Sequence, residues 1–334
     1  MSNYRGFGDV QTLRARLLIG LSQIVRIFPE GSARVFAAGA GLLASRIWRR
    51  ERNRLAETID RVYHKLGKSF PIPLEKMIDH VFIHFSLNLL EIMNYPKLSK
   101  SDFAARFEFE GMNHLHEALA KGKGVILAVP HIGNWEMLGA AIAARGFPLH
   151  SFYLSQKEDV FGVVLDYFRS YSGIILHDRD RAAVGGLRAL KNGEILGMIS
   201  DQDGGNQGVY TDFLGHWVSM PAGPANWSLK TGAVVIPLYS LRIGRSARFI
   251  SRFLPPLPDE PSASRDEMLV SRTLRLIRWM EEIILAHPDQ YLWFYDRFKP
   301  RHEKYIAKLK ASGYRMRHGE ACYGIPDAGN EPTK

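Results

Sequence analysis

The chain predicts an α/β fold: a mostly parallel central sheet flanked by helices, preceded by an N-terminal apolar helical hairpin. Three observations lead there. Short apolar runs such as 125–129 and 195–200 alternate with stretches of helical periodicity. The first run stops at Pro130, and the second runs into an Asp-Gln-Asp-Gly-Gly loop. The composition, 46% apolar and 23% charged over 334 residues, belongs to a globular chain long enough to bury a large core.

Residues 13–48 read as two apolar helices with a turn at 29–31. Their apolar stretches, 17–25 and 35–45, fall short of the roughly 18 to 20 residues a spanning helix needs. They are long enough to lie in a membrane interface. Arg46, Arg49, Arg50, Arg52 and Arg54 follow, opposed by Glu51. Apolar segments beside clustered arginines suit an anionic bilayer surface. A buried hairpin with a solvated arginine face is the other reading. Residues 51–95 are expected to be helical, with Met77, Ile78, Val81, Phe82, Phe85, Leu89 and Leu90 on one face and a break at Pro71 and Pro73.

From about 105 to 300 the pattern is α/β. Strands are expected at 107–110, 125–129, 149–154, 174–176, 195–200, 234–241, 248–253 and 291–295. Helices are expected at 113–121, 135–145, 160–171, 182–191, 221–231 and 264–286. Asn134 is placed to N-cap the second of these, and Gly146 and Gly232 stand just past helix ends. The expected divisions are a membrane-associating hairpin at 1–50, the α/β domain at 51–300 and a tail at 301–334.

The net charge of +10 points to an acidic partner: an anionic membrane, an acidic protein, a phosphorylated substrate or nucleic acid. No nucleic-acid-binding module is recognisable, so a non-catalytic basic binding protein rests on charge alone. The single cysteine, Cys322, excludes an internal disulfide framework and a cysteine zinc site. No secretory signal is expected.

The chemistry concentrates at 129–136, Val-Pro-His-Ile-Gly-Asn-Trp-Glu. It sets His131 at a strand end and Glu136 in the first turn of the next helix, where α/β folds place their sites. With 12 histidines and 34 acidic residues, the spacing alone is expected by chance. The strand, the Pro stop and the capped helix start give it weight. Glu136 is expected to fix the tautomer of His131, which then takes a proton from a substrate hydroxyl. A structural histidine at a turn is the alternative. Asp201, Gln202 and Asp203 end another buried strand and suggest a polar site loop. A calcium loop fits poorly, because the sixth position from Asp201 is Asn206 rather than glycine. Arg169 gains interest only if the fold brings it near His131. Phe28-Pro29-Glu30-Gly31 reads as a turn, and His80 with His84 lacks an evident third metal ligand.

These residues resemble a family. The order is the apolar hairpin with its arginines, Lys-Gly-Lys-Gly-Val-Ile-Leu, His-x-x-x-x-Glu, Lys-Asn-Gly-Glu, Asp-Gln-Asp, and Gln-Tyr-Leu-Trp-Phe-Tyr-Asp-Arg-Phe-Lys. It is similar to that of the late lauroyl and myristoyl acyltransferases of lipid A biosynthesis, within the lysophospholipid acyltransferase superfamily. The likeness covers about residues 13–300. It implies a glycerolipid acyltransferase-like fold. It also implies acyl transfer from acyl carrier protein, or acyl-CoA, to a hydroxyl of a membrane glycolipid. The family's catalytic pair falls on His131 and Glu136, and its supporting residues on Arg169, Asp201, Gln202 and Asp203. The resemblance further implies no metal or organic cofactor, no nucleic acid, and a place on the cytoplasmic face of the bacterial inner membrane. Phosphoglycolipid, aminolipid and lysophospholipid acceptors remain open. Gly204–Gly205 stands where relatives often carry an aromatic. The nearby aromatics Trp135, Phe152, Tyr153, Phe213, Trp217 and Trp227 are candidates for an acyl groove or for core.

Overall fold

A computed structural model describes residues 13–153, 160–178, 182–258, 264–299, 303–307 and 321–323. Most of the expected tail lies outside them. The strands are β1 (Phe107–Glu110), β2 (Val125–Val129), β3 (Leu149–Tyr153), β4 (Ile175–Asp178), β5 (Ile195–Ile199), β6 (Val209–Phe213), β7 (His216–Met220), β8 (Val234–Arg242), β9 (Phe249–Phe253) and β10 (Cys322–Tyr323). Seven of them form one sheet, in the order β1-β9-β8-β2-β5-β3-β4. β8, β2, β5, β3 and β4 run parallel, while β9 opposes β8 and β1 follows β9.

All five residues of β2 are buried, which requires cover on both faces. The helices supply it. They are α1 (Leu13–Val25), α2 (Glu30–Ile47), α3 (Arg49–Lys65), α4 (Leu74–Met93), α5 (Lys100–Ala105), α6 (Met112–Ala120), α7 (Trp135–Ala144), α8 (Val160–Arg169), α9 (Ala182–Lys191), α10 (Gly223–Thr231) and α11 (Arg265–Ala286). Val125, Leu127 and Val129 of β2 join a core with Met137 and Leu138 of α7 and Phe168 of α8. Ile126 and Ala128, on the other face, join Ile59 of α3, Phe82 of α4 and Ile277 of α11.

The N-terminal pair departs from a closed hairpin. α1 leans on α8 and α2 on α4, rather than on each other. α2 buries Ala33, Ala37, Gly41 and Ser45, a small residue every fourth position. A Cβ on Gly41 would stand 2.7 Å from the Phe82 carbonyl oxygen, so the two helix backbones touch. The outer surfaces stay apolar: Leu13, Leu17, Leu21 and Ile24 of α1, and Val35, Phe36, Leu43 and Ile47 of α2, are exposed. Among the described residues, no helix is long and apolar enough to cross a membrane. Part of the arginine cluster is engaged within the chain. Arg46 and Arg52 pair with Asp79, Arg52 also with Glu75, and Arg54 with Glu51. Phe28-Pro29-Glu30-Gly31 begins α2, and Glu30 accepts from both ends of the Arg106 guanidinium at 2.6 and 2.9 Å.

Two further departures bear on the site. Residues 291–295 do not form a strand of the sheet. A 3-10 turn, Pro288–Gln290, carries the chain across the His131 loop, and Tyr291 makes one isolated bridge to Ile132. The aromatic run has β propensity but meets a loop edge rather than a free strand. A second, three-stranded sheet in the order β10-β6-β7 falls outside the expected strands. Its β6–β7 hairpin passes over the Asp201 loop: a Cβ on Gly204 would stand 2.6 Å from the Met220 carbonyl oxygen, leaving no room for a larger residue.

Candidate active site

β2 and β5 are parallel neighbours, and Val129 stands opposite Ile199. Two residues further along each strand come His131 and Asp201. The Asp201 carboxylate takes Nδ1–H of His131 at 2.7 Å and its backbone N–H at 3.1 Å. The carboxylate at Nδ1 is thus Asp201, where the sequence points to Glu136. With Nδ1 donating to Asp201, Nε2 carries the lone pair, and the Gln202 side-chain amide approaches it at 3.4 Å. Trp135 sits edge-on to the ring, with centroids 4.7 Å apart.

Asp201 is 1% exposed. Burial pushes its carboxyl up, but His131 and the Arg297 guanidinium outweigh that and hold it down at about 2. Burial raises the phenol of Tyr291 well above the usual range, and the Asp201 charge adds to it. Arg297 lies over the Phe213 ring, with its guanidinium carbon 4.9 Å from the centroid. These two residues come from the Gln-Tyr-Leu-Trp-Phe-Tyr-Asp-Arg segment, whose part in supporting Asp201 the sequence pattern does not assign.

Glu136 pairs with Arg169 instead. Its two oxygens accept from Arg169 Nε, at 2.9 Å, and from Nη2. Asn134 caps α7 through Met137 N–H at 3.0 Å, which turns position 136 toward the end of α8. A carboxylate in the first turn of α7 and a guanidinium in the last turn of α8 each suit their helix end. Burial pushes Glu136 up, and Arg169 more than reverses it, so its pKa is lowered. Arg169 is raised: burial lowers it, and Glu136 outweighs burial. Arg169 therefore reaches the site, but through Glu136.

Asp203 is held away from His131. Its carboxylate accepts from Gly205 N–H at 2.9 Å and Lys299 Nζ at 3.0 Å. The His131 loop is clamped from below. Leu292 N–H donates to His131 O at 2.9 Å, and Gly133 N–H to Gln290 O at 3.0 Å. Gly133 has φ +63°, and a Cβ there would lie 2.0 Å from the Ser240 carbonyl oxygen, so no other residue fits.

A cavity of ≈ 90 Å³ extends from Glu136 and Arg169 between the sheet and α7, past Leu127, Leu138, Leu149 and Ile174. Trp135 and Phe152 line it, whereas Phe213 belongs to the opposite core. The Tyr153 side chain lies outside the described residues. His80 and His84 face Asp289 at 3.5 and 3.7 Å. Among the described residues, no group of three or more such side chains is placed to hold a metal ion.

Fold and site define a class: an α/β protein with a histidine–carboxylate pair at adjacent parallel strand ends, beside an apolar cavity. Comparison with known proteins narrows it. The chain belongs to the bacterial lipid A biosynthesis acyltransferase family, whose model matches residues 9–300, and it is an acyltransferase. It is 26% identical over 230 residues to a lipid A biosynthesis acyltransferase of Haemophilus influenzae, covering 68% of this chain and 70% of that one. It is 24% identical over 291 residues to the lipid A biosynthesis lauroyltransferase of Escherichia coli K12, covering 85% and 91%. It is also 29% identical over 169 residues to a phosphatidylinositol mannoside acyltransferase of Mycobacterium tuberculosis, covering 48% of this chain and about half, 52%, of that protein.

Proposed function

We propose that this acyltransferase moves a fatty acyl chain from an acyl carrier protein thioester to a hydroxyl of a lipid A precursor or related membrane glycolipid. The observation that carries this is the His131–Asp201 pair, in which the carboxylate holds Nδ1 and leaves Nε2 facing the Gln202 amide. His131 Nε2 removes the acceptor hydroxyl proton as the oxygen attacks the thioester carbonyl carbon. A C–O bond forms, the tetrahedral intermediate collapses, and the C–S bond breaks. The departing thiolate takes the proton back from Nε2. Asp201 holds the tautomer and stabilises the imidazolium as it forms. The cavity beside Glu136, ≈ 90 Å³, takes a short stretch of the acyl chain, and the Glu136–Arg169 pair fixes its polar mouth.

The exposed apolar faces of α1 and α2, flanked by exposed Arg14, Arg16, Arg49 and Arg50, support a site of action on the cytoplasmic face of the bacterial inner membrane. The net charge of +10 suits both that surface and an acidic carrier protein. The likeness to mycobacterial relatives keeps a second acceptor class, phosphoglycolipids, in view. Mass spectrometry of membrane lipids from cells making the wild-type protein or His131→Ala tests the reading. The variant is expected to lose at least about a hundredfold in transfer. Loss of one chain from lipid A names that acceptor, and loss from another glycolipid names the second class. Wild-type transfer by the stable variant overturns the role of His131.

A further inference from the structure

Behind the His131 loop lies a buried polar cluster with no part in the chemistry described above. Its centre is Glu91 of α4, 2% exposed. Arg34 of α2 donates to Glu91 Oε1 at 2.7 Å. Arg242 of β8 donates to Oε1 as well, and to Oε2 at 2.7 Å. Asn134 Nδ2 donates to Oε2 at 2.6 Å, while Asn134 Oδ1 caps α7. One turn earlier on α4, Asn88 takes Arg242 Nη2 at 2.5 Å and donates to Gly133 O at 2.6 Å. The backbone of Arg242 is held in turn by the Gln290 amide at 2.8 and 3.1 Å.

An ionised carboxylate only accepts hydrogen bonds. Burial alone would raise the pKa of Glu91; Arg242 and Arg34 reverse that and keep it an acceptor. Asn134 must therefore turn its NH₂ to Glu91 and its carbonyl oxygen to Met137 N–H. That single orientation starts α7 and aims Glu136. Asn88 fixes the other side of the same loop at Gly133, two residues from His131.

The contact from Arg34 is the unexpected one. It comes from a helix whose outer face is apolar and exposed. The Arg34 guanidinium also holds the turn after β8, through Arg245 O at 2.9 and 2.6 Å and Ser246 O at 2.5 Å. Seating α2 on the domain thus delivers a charge to the carboxylate that orders the catalytic loop.

We propose that Glu91 is the positioning residue of the His131–Glu136 loop, and that Arg34 makes the docking of α2 part of active-site assembly. This rests on His131 acting as the base. The test uses Arg34→Ala, Arg34→Lys and, as a control, Arg46→Ala. Arg46 ties α2 to α4 through Asp79, at 2.7 Å, away from the loop. Two readouts are taken on the full-length protein in lipid nanodiscs. One is kcat and KM for acyl transfer. The other is the low-field proton resonance of His131 Nδ1–H, assigned by its absence in His131→Ala.

Arg34→Ala is expected to lower kcat about ten- to a hundredfold at an unchanged donor KM, because the loop is misplaced rather than the donor site lost. The same variant broadens or shifts the resonance. Arg34→Lys restores part of both, and Arg46→Ala changes neither. Equal effects of Arg34→Ala and Arg46→Ala, or an Arg34→Ala effect confined to membrane binding with the resonance intact, would overturn the proposal. Absence of acyl transfer by the wild-type protein would instead sink the reading of His131 as base, and the resonance would still decide the Arg34 link.

Discussion

Asp201, in the loop after β5, and Glu136, in the first turn of α7, both stand near the same imidazole, yet the bond to His131 belongs to Asp201. Asp201 gives the ring an acceptor at Nδ1 and another at the backbone N–H. Glu136 gives both oxygens to Arg169. One carboxylate sets a tautomer, and the other neutralises a half-buried cation. Nearness to a histidine does not tell these apart; what occupies the remaining lone pairs does.

Substitution should separate them. Asp201→Asn keeps the shape but offers the imidazole the wrong partner. Its expected cost is about 10³- to 10⁴-fold in kcat, on the scale seen when a catalytic histidine loses its carboxylate, read in a steady-state transfer assay. A variant that turns over normally would return the orienting role to Glu136. Glu136→Gln should show mainly in stability. It leaves the half-buried Arg169 with Asp166, 3.4 Å away, as its remaining counter-charge, at a cost of about 1 to 3 kcal/mol in urea unfolding. Adding Arg169→Gln should recover much of that loss, and strict additivity in the cycle would deny the pairing.

A smaller effect is expected with acid. The fold holds Asp201 at about 2, below the ordinary value of 3.8. The stability it contributes is complete above about pH 4 and is lost as pH falls toward 2, up to about 2 kcal/mol. The acid-unfolding curve of Asp201→Asn should therefore be flatter over that range than the wild-type curve. The smallest change is in the cavity wall between these two carboxylates and the acyl tail. A Cβ on Gly139 would stand 2.8 Å from Ile174 Cδ1, the movable end of a side chain. Gly139→Ala should fold normally and disfavour the longest acyl chains by about tenfold per excess methylene. An unchanged chain-length profile would place the acyl tail elsewhere.

Much of this fold is legible in the order of the amino acids. β2 announces itself because both of its faces are covered, so every residue has to be apolar, and β5 shares that run although Ile199 at its end is exposed. The N-cap at Asn134 and the glycine stops at 146 and 232 are readable because capping is local chemistry. The His131–Asp201 bond is not. It depends on β5 lying beside β2 in the sheet although β3 and β4 come between them in the chain. The Arg169 partner is hidden for the same reason, since it requires α8 to end against the start of α7. The run 291–295 misleads because aromatic residues suit a strand and a clamp equally well. The β6–β7 hairpin escapes notice because its strands carry Asp212, His216 and Ser219 among their apolar residues.

The contact between α2 and α4 has a consequence of its own. A helix pair held only by squeezing apolar groups out of water loses that drive once its surroundings become hydrocarbon. Here Ala33, Ala37, Gly41 and Ser45 let two backbones approach until van der Waals contact joins the Arg34–Glu91 and Arg46–Asp79 pairs in the holding. Such an attachment is indifferent to the medium outside it. The outer face of α2 can exchange water for lipid without loosening the inner one, so the same joint serves on either side of a phase boundary.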